Sequence, residues 1–186
     1  MNGPRLRAGF VLALAMAAGM PMAGRAAAQT SVEARSGLTV GNHTSTAAGL
    51  EWTPAVSYEI RIARRLHPQV AITGGYVRTA FGCKEGFCRG REPTVAGSHA
   101  ALGAELSRGW LWGRVGVLYG TMRVGTEGET PQAGPGVEAG AGLRLHLGRL
   151  RIGPGLSWRR MSADTPSSAD HAVALGFDLG VAFEFD

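Results

Sequence analysis

The sequence predicts an all-β fold, a closed antiparallel barrel whose eight strands run up and down in chain order. Three observations predict it. Eight segments alternate between large apolar residues and small or polar ones, the connections between them alternate between short and long, and the last fourteen residues show the most regular alternation. Successive strand side chains point to opposite faces, so a period of two indicates strands with one apolar face.

The first 28 residues have the features of a cleaved export signal. Arg5 and Arg7 form a positive start, residues 8–20 are an apolar run too short to span as a helix, and the small residues 26–28 suit cleavage after Ala28. We therefore expect a signal peptide over 1–28 and one barrel domain over 29–186.

The charge of the exported part excludes one class of partner. Of the 19 Lys and Arg residues, three lie in the signal segment, so 16 remain against 14 Asp and Glu. No basic helix or basic–aromatic cluster is present, and we expect no nucleic-acid partner.

Each predicted strand carries a large apolar face and a small or polar face. In the last one, Val173, Phe177 and Phe185 alternate with Gly176, Asp178 and others. Pro54 and Pro154 interrupt two of the segments, and we expect local bulges there. The eight segments span about Ser31–Val40, Leu50–Arg65, Gln69–Phe81, Ser98–Leu106, Trp110–Val124, Val137–Leu147, Leu150–Met161 and Val173–Asp186.

The connections alternate in length around the predicted barrel. Three are tight turns, at 66–68, 107–109 and 148–149, and four are longer polar loops, at 41–49, 83–97, 125–136 and 163–171. This layout is typical of outer-membrane barrels, in which short turns face the periplasm and long loops face outside. Both chain ends then lie on the periplasmic side.

The end of the chain carries a motif as well as a strand. Asp178, Gly180, Phe183 and Phe185 fit the pattern polar-x-Gly-x-x-apolar-x-aromatic. This resembles the C-terminal signal of bacterial outer-membrane barrels, which their assembly machinery reads, although Asp186 follows the final aromatic residue here. The whole exported chain resembles the small OmpA/OmpX-type barrels. The resemblance implies the barrel-assembly machinery, outer-membrane lipid and lipopolysaccharide as partners.

Alternation alone does not say which face is inside, so a soluble lipocalin-like periplasmic carrier is an alternative. Two further features favour a transmembrane barrel with its apolar face toward lipid. The other face is rich in Gly and Ala, which suits a narrow interior. Aromatic residues lie near the strand ends, which resembles two interfacial girdles: Trp52, Tyr119 and Trp158 toward the loops, and Trp110, Phe183 and Phe185 toward the turns.

The predicted interior carries charges of both signs in near balance. Buried ions must be paired, so we expect a closed, salt-bridged interior rather than a charged channel or proton path. The expected network comprises Glu33, Arg35, Glu59, Arg61, Glu105, Arg114, Glu138, Arg144, Arg159, Asp178 and Glu184.

The longest connection, 83–97, contains both cysteines. Exported cysteines in an even number usually pair, and we expect a Cys83–Cys88 disulfide. Two ligands are too few for a tetrahedral metal site. The loop is slightly basic, and we expect it to bind an extracellular ligand, with lipopolysaccharide phosphates or an acidic host ligand as candidates.

No catalytic motif stands out. Ser98 and His99 are adjacent and should point to opposite faces, and Asp170-His171 lies beside serines 167 and 168 in a loop. We therefore predict a non-enzymatic outer-membrane barrel with no cofactor and no metal, in a structural or surface-interaction role through four loops. The alternatives are a small pore or apolar-solute conduit, a lipid-modifying barrel enzyme, and the soluble carrier.

Overall fold

The computed structural model describes residues 29–43, 51–82, 95–124, 131–164 and 169–185. No helix within these ranges is long and apolar enough to cross a membrane. The strands found there are β1 (Thr30–His43), β2 (Glu51–His67), β3 (Val70–Phe81), β4 (Val95–Arg108), β5 (Leu111–Val124), β6 (Gln132–Leu143), β7 (Leu145–Leu147), β8 (Leu150–Asp164) and β9 (Ala169–Phe185).

β6 and β7 are two parts of one barrel strand, interrupted at Arg144. β8 pairs with both parts in one register, Gly142 with Gly155 in β6 and Leu145 with Ile152 in β7. In this register Arg144 lies opposite Gly153, next to Pro154, which has no N–H to donate to the ladder. The bulge predicted at Pro154 is therefore wrong, because the register continues through the break.

A bulge does occur at the other proline. The β2–β3 register shifts between Pro54 and Tyr58, as predicted. The described strands form a barrel of eight strands. Each strand is antiparallel to the next, and β9 pairs with the whole length of β1.

The pairing register sets the tilt of the strands. We follow the paired residues from strand to strand around the barrel, starting at Val32 in β1. The path comes back to β1 at Asn42, ten residues further along the chain. Such a stagger requires strands tilted by roughly 40° to the barrel axis. The path runs through Val32, Ile62, Gly74, Leu102, Val117, Val137, Arg160, Val173 and Asn42.

The apolar face of the sheet is its outer face. Leu156, Phe177 and Val117 expose 65%, 62% and 52% of their surface, whereas the charged residues of the opposite face are buried. The orientation is thus the reverse of a soluble barrel, and the predicted transmembrane arrangement of the faces is confirmed. The outward aromatic side chains include Trp110, Tyr119, Trp158, Phe183 and Phe185.

Two tight turns depend on glycine. Gly109 and Gly148 follow β4 and β7 with φ of 61° and 65°, a backbone conformation that favours glycine over residues with a Cβ. At the other end of the barrel the strands are longer than predicted, since β4 begins at Val95 and β6 at Gln132. The small residues there carry little polarity signal, so the alternation is hard to see in the sequence. The remaining parts of the four long connections lie outside the described residues.

Candidate functional site

The barrel interior is the candidate site, and it has two layers. The charged layer fills the half nearer the tight turns, and the apolar layer fills the half nearer the long connections. The charged layer comprises Glu33, Arg35, Glu59, Arg61, Glu105, Arg114, Glu138, Arg144, Arg151, Arg159, Asp178 and Glu184. The apolar layer comprises Val77, Phe81, Val95, Ala101, Leu118, Met122, Met161, Ala172 and Ala174.

Glu59 is the centre of one group of ion pairs. Its two carboxylate oxygens accept hydrogen bonds from Arg114 at 2.9 Å, from Arg61 at 3.0 Å and from Arg159 at 2.6 Å. Arg61 also donates to Glu138 at 2.7 Å. Four strands thus contribute to one buried cluster, and removing any member leaves a charge without its full set of partners.

Arg144 is the centre of a second group. Its guanidinium donates to both oxygens of Glu33 at 3.0 Å and to Glu105. Arg35 donates to Glu33 at 2.8 Å and to Asp178 at 2.5 Å. Arg144, at the interruption between β6 and β7, thus joins the carboxylates of Glu33 and Glu105 across the barrel.

Trp112 lies among the arginines of the charged layer. The guanidinium carbons of Arg35, Arg144 and Arg114 lie 4.6, 4.9 and 5.1 Å from its ring centroid, within the range of cation–π contacts. Only 4% of the residue is exposed. The alternation places Trp112 on the inner face beside Arg114, but sequence reasoning did not include it in the network.

The turn end of the interior contains a third group. Glu184 pairs with the buried Arg151 and, at 3.2 Å, with Arg65. Neither arginine was among the predicted network residues. Arg151 could have been found, because it is an even number of residues from Arg159 in β8 and therefore points to the same face. The structure brings each of the eleven predicted network residues into an ion pair.

The apolar layer was not predicted at all. Val77, Phe81, Val95 and Met161 are fully buried, and Met122 is 1% exposed. These residues lie at inward positions near the long connections, where dense apolar packing excludes water. These residues occupy the inward positions of the strand alternation, and this was a usable signal. An apolar residue on the inner face is nevertheless easily mistaken for part of the lipid-facing pattern.

Two residues of the terminal motif support the interior. Asp178 binds Arg35, and a side chain at Gly180 would clash with the Arg35 guanidinium. The two aromatic residues face outward instead. Phe183 and Phe185 meet edge to face with ring centroids 5.0 Å apart. Half of the motif is therefore a packing requirement of the charged layer.

The serine and histidine residues considered as nucleophile–base pairs differ in their positions and contacts. Ser98 and His99 point to opposite faces as predicted. The Tyr76 hydroxyl donates a hydrogen bond to Ser98 Oγ at 2.9 Å, and His99 is buried inside. Sequence reasoning missed a contact of 3.0 Å between Ser162 Oγ and His171 Nδ1. These two residues are direct cross-strand partners, a common kind of polar pair. Cys83, Cys88 and the basic residues of their loop lie outside the described residues.

Comparison with known proteins supports the fold. No protein-family model matches the sequence, and no curated protein sequence matches it. Among solved structures, Neisserial surface protein A is similar with a TM-score of 0.60 at 12% identity, covering 84% of this chain and 97% of that one. Ail, the attachment invasion locus protein of Yersinia pestis, has a TM-score of 0.55 at 14% identity, covering 85% and 99%.

A third structure agrees with these two. The outer-membrane protein OprG from Pseudomonas aeruginosa has a TM-score of 0.51 at 10% identity, covering 87% of this chain and 98% of that one. At such low identity the similarity concerns the fold alone. The chain therefore has the fold of the small eight-stranded outer-membrane barrels.

Proposed function

We propose that this chain is an integral outer-membrane protein with a non-enzymatic role, a closed barrel that presents its long connections for surface interaction. One observation carries the proposal: most of the large apolar side chains face outward, while the charged side chains of the interior are paired. Lipid is the solvent that such an exterior requires, and an interior filled by side chains leaves the connections as the accessible part.

The structurally similar proteins agree with a surface role. One is named a surface protein and another an attachment invasion protein. In this chain the candidate contact is the connection between β3 and β4, with Lys84, Arg89 and Arg91 around the expected Cys83–Cys88 bridge. Its ligand would be anionic, either lipopolysaccharide phosphates or an acidic host molecule. A bridged loop loses less conformational entropy on binding than an open one.

The proposal also covers how the chain is exported and how the barrel is oriented in the outer membrane. Residues 1–28 would direct export and be removed, and the assembly machinery would read the terminal motif in residues 178–185. The long connections would face outside, with both chain ends and the tight turns in the periplasm. An epitope inserted at 125–130 should then be detected on intact cells, whereas one inserted at 148–149 should be detected only after permeabilisation.

The contact role is tested by removing charge from the loop. Arg89→Ala with Arg91→Ala should weaken binding to lipopolysaccharide-coated surfaces or to host cells, since the loop loses two of its three basic side chains. The matched control is Arg108→Ala with Arg149→Ala, which removes the same charge from two tight turns. Equal binding by both double variants and the unchanged protein would contradict the contact role.

The non-enzymatic role has its own test. The purified barrel should leave the acyl-chain content of lipopolysaccharide unchanged in mass spectra. Release of fatty acid that disappears in Ser162→Ala would instead show that the Ser162–His171 pair is catalytic. That outcome would replace the proposed role with a lipid-modifying one.

A further inference from the structure

The outer surface of the barrel differs from the interior in the sign of its charge. Every aspartate and glutamate whose side chain the structure describes lies in the interior, within the charged layer. Arginines occur on both faces. In the half nearer the long connections, Arg78, Arg123 and Arg160 each follow a buried, inward-facing residue and therefore project outward. The charged side chains described on this part of the outer surface are thus all arginines.

Two of these arginines are close together on one side of the barrel. Arg78 of β3 pairs with Ser98 of β4, and Ser98 pairs with Thr121 of β5, two residues before Arg123. With strands about 4.8 Å apart and a rise of about 3.4 Å per residue, the Cα atoms of Arg78 and Arg123 are roughly 12 Å apart. Two long side chains at this spacing can contact the same ligand.

Hydroxyl groups lie between the two arginines. Ser98 and Thr121 are both outward residues of the shared ladder. The Tyr76 hydroxyl donates to Ser98 Oγ at 2.9 Å, which leaves the Ser98 hydrogen available for another acceptor. Arg78 has no hydrogen-bond or ion-pair partner within the described strands. This surface therefore offers guanidinium and hydroxyl donors side by side.

The depth of this surface matches the boundary of a membrane. Arg78 lies eight residues beyond Val70, the first residue of β3. Arg123 lies twelve residues beyond Leu111, the first residue of β5. In strands tilted by roughly 40°, the two positions are about 20 and 30 Å from the turn end along the barrel axis. The apolar band of an outer-membrane barrel is about 25 Å tall, so the arginines lie on either side of its upper edge.

The tyrosines mark the same boundary. All three tyrosines of the chain, Tyr58, Tyr76 and Tyr119, are exposed on the outer face of β2, β3 and β5. Tyr58 is the cross-strand partner of Arg78, and its ring centroid is 6.1 Å from that of Tyr76. Tyrosine is enriched where hydrocarbon meets polar headgroups, because its ring is apolar and its hydroxyl is polar. Lipid headgroups at this level would therefore meet the arginines.

We propose that the outer surface of β3–β5 around Arg78 and Arg123 binds the phosphorylated sugar headgroup of lipopolysaccharide. A guanidinium group can pair with a phosphate through two parallel hydrogen bonds, and the serine and threonine hydroxyls suit a sugar. The choice of this lipid rests on the proposed function, in which the long connections face outside, because lipopolysaccharide occupies the outer leaflet. The site is separate from the proposed loop contact, since it lies on the strands.

The experiment measures binding of fluorescent diphosphorylated lipid A, the membrane anchor of lipopolysaccharide. The protein is expressed in a Gram-negative host, purified from its outer membranes and exchanged into detergent micelles. Unlabelled diphosphorylated lipid A, dephosphorylated lipid A and phosphatidylglycerol serve as competitors. We expect the last two to compete less well by about tenfold or more, because the first of them lacks phosphate and the second lacks the sugar.

Two double variants locate the binding. Arg78→Ala with Arg123→Ala should weaken lipid A binding by about tenfold or more, because charge-assisted hydrogen bonds to phosphate are lost. The matched control is Arg64→Ala with Arg160→Ala, which removes two outward arginines from other parts of the barrel and should leave the affinity unchanged. All four side chains lie outside the interior, so the barrel should fold in both variants. Heat-modifiable gel migration checks this before the measurement.

The proposal is overturned if the two double variants bind lipid A with the same affinity, whether both are weakened or neither is. Competition by phosphatidylglycerol as strong as that by lipid A would overturn it as well, because any anionic lipid would then be accepted. Failure of the proposed function is detected separately. The loop arginines are present in both double variants, and the comparison in micelles does not depend on orientation, which the epitope insertions test.

Discussion

At the scale of single residues, Glu59 should contribute more to stability than any carboxylate with one partner. Glu59→Gln removes the charge shared by Arg61, Arg114 and Arg159, and we expect a loss of about 3–5 kcal/mol in the free energy of unfolding. Asp178→Asn is the control, because within the described strands Asp178 pairs with Arg35 only and is nearer to solvent. Urea unfolding in lipid vesicles measures both. Equal losses would mean that the Glu59 cluster is not a stability centre.

Single residues also show where strand alternation fails to predict which substitutions are tolerated. Gly142 is an inward position, and alternation suggests that it should accept a serine more readily than Leu143 accepts an arginine. In the structure, a side chain at Gly142 would clash with the Pro154 carbonyl and lie 2.9 Å from Trp112 Nε1. Facing the interior is thus not sufficient for tolerance, because the neighbouring strand and the indole already occupy the space.

The free-energy cost of placing an arginine at an outward position should depend on the depth of that position in the bilayer. Leu156 and Leu147 are 65% and 63% exposed, but Leu156 lies mid-strand and Leu147 immediately precedes a tight turn. Leu156→Arg should cost about 2–4 kcal/mol and Leu147→Arg about 0–1 kcal/mol, because arginine is most costly at the bilayer midplane. Folding equilibria in vesicles provide the comparison. Similar costs at both positions would contradict the membrane orientation.

At the scale of elements, β9 combines a structural role with the predicted assembly signal. Phe185→Ala removes an outward aromatic side chain that contacts Phe183 and leaves the interior unchanged. We expect reduced outer-membrane levels in cells but nearly normal stability of the refolded barrel. Deleting Asp186 should be tolerated, since it restores an aromatic end. Normal levels of Phe185→Ala, measured in membrane fractions, would remove support for the signal.

Elements were predictable because their signal is local. Each strand could be located from its own alternation, and the Pro54 bulge from one residue. Partners across the barrel were not predictable, because they depend on closure. Arg61 and Glu138 are 77 positions apart, and they meet because the register and the strand tilt bring β2 and β6 to the same depth. The sequence therefore predicted most of the charges that lie inside, with Arg151 missed, but not which charges pair.

At the scale of the whole molecule, the interior is blocked by two layers in series. We expect no conductance steps from the purified barrel in planar bilayers. Phe81→Ala should also stay silent, because it opens the apolar layer and leaves the charged layer in place. A steady current from Phe81→Ala alone would show that the apolar layer is the only seal. Heat-modifiable migration verifies that the variant is folded before the measurement.

The pairing of β1 with β9 means that the fold does not depend on where the chain begins and ends. Thr30 lies opposite Phe185, so the backbone from one to the other is nearly a ring. A short linker between these ends, with new termini cut at Gly148 and Arg149, would keep every strand pairing. Such a circular permutant would retain the closed barrel while moving the aromatic motif away from the C-terminus. Thermodynamic closure and the proposed recognition by the assembly machinery, both of which we assign to β9, would then become separately measurable.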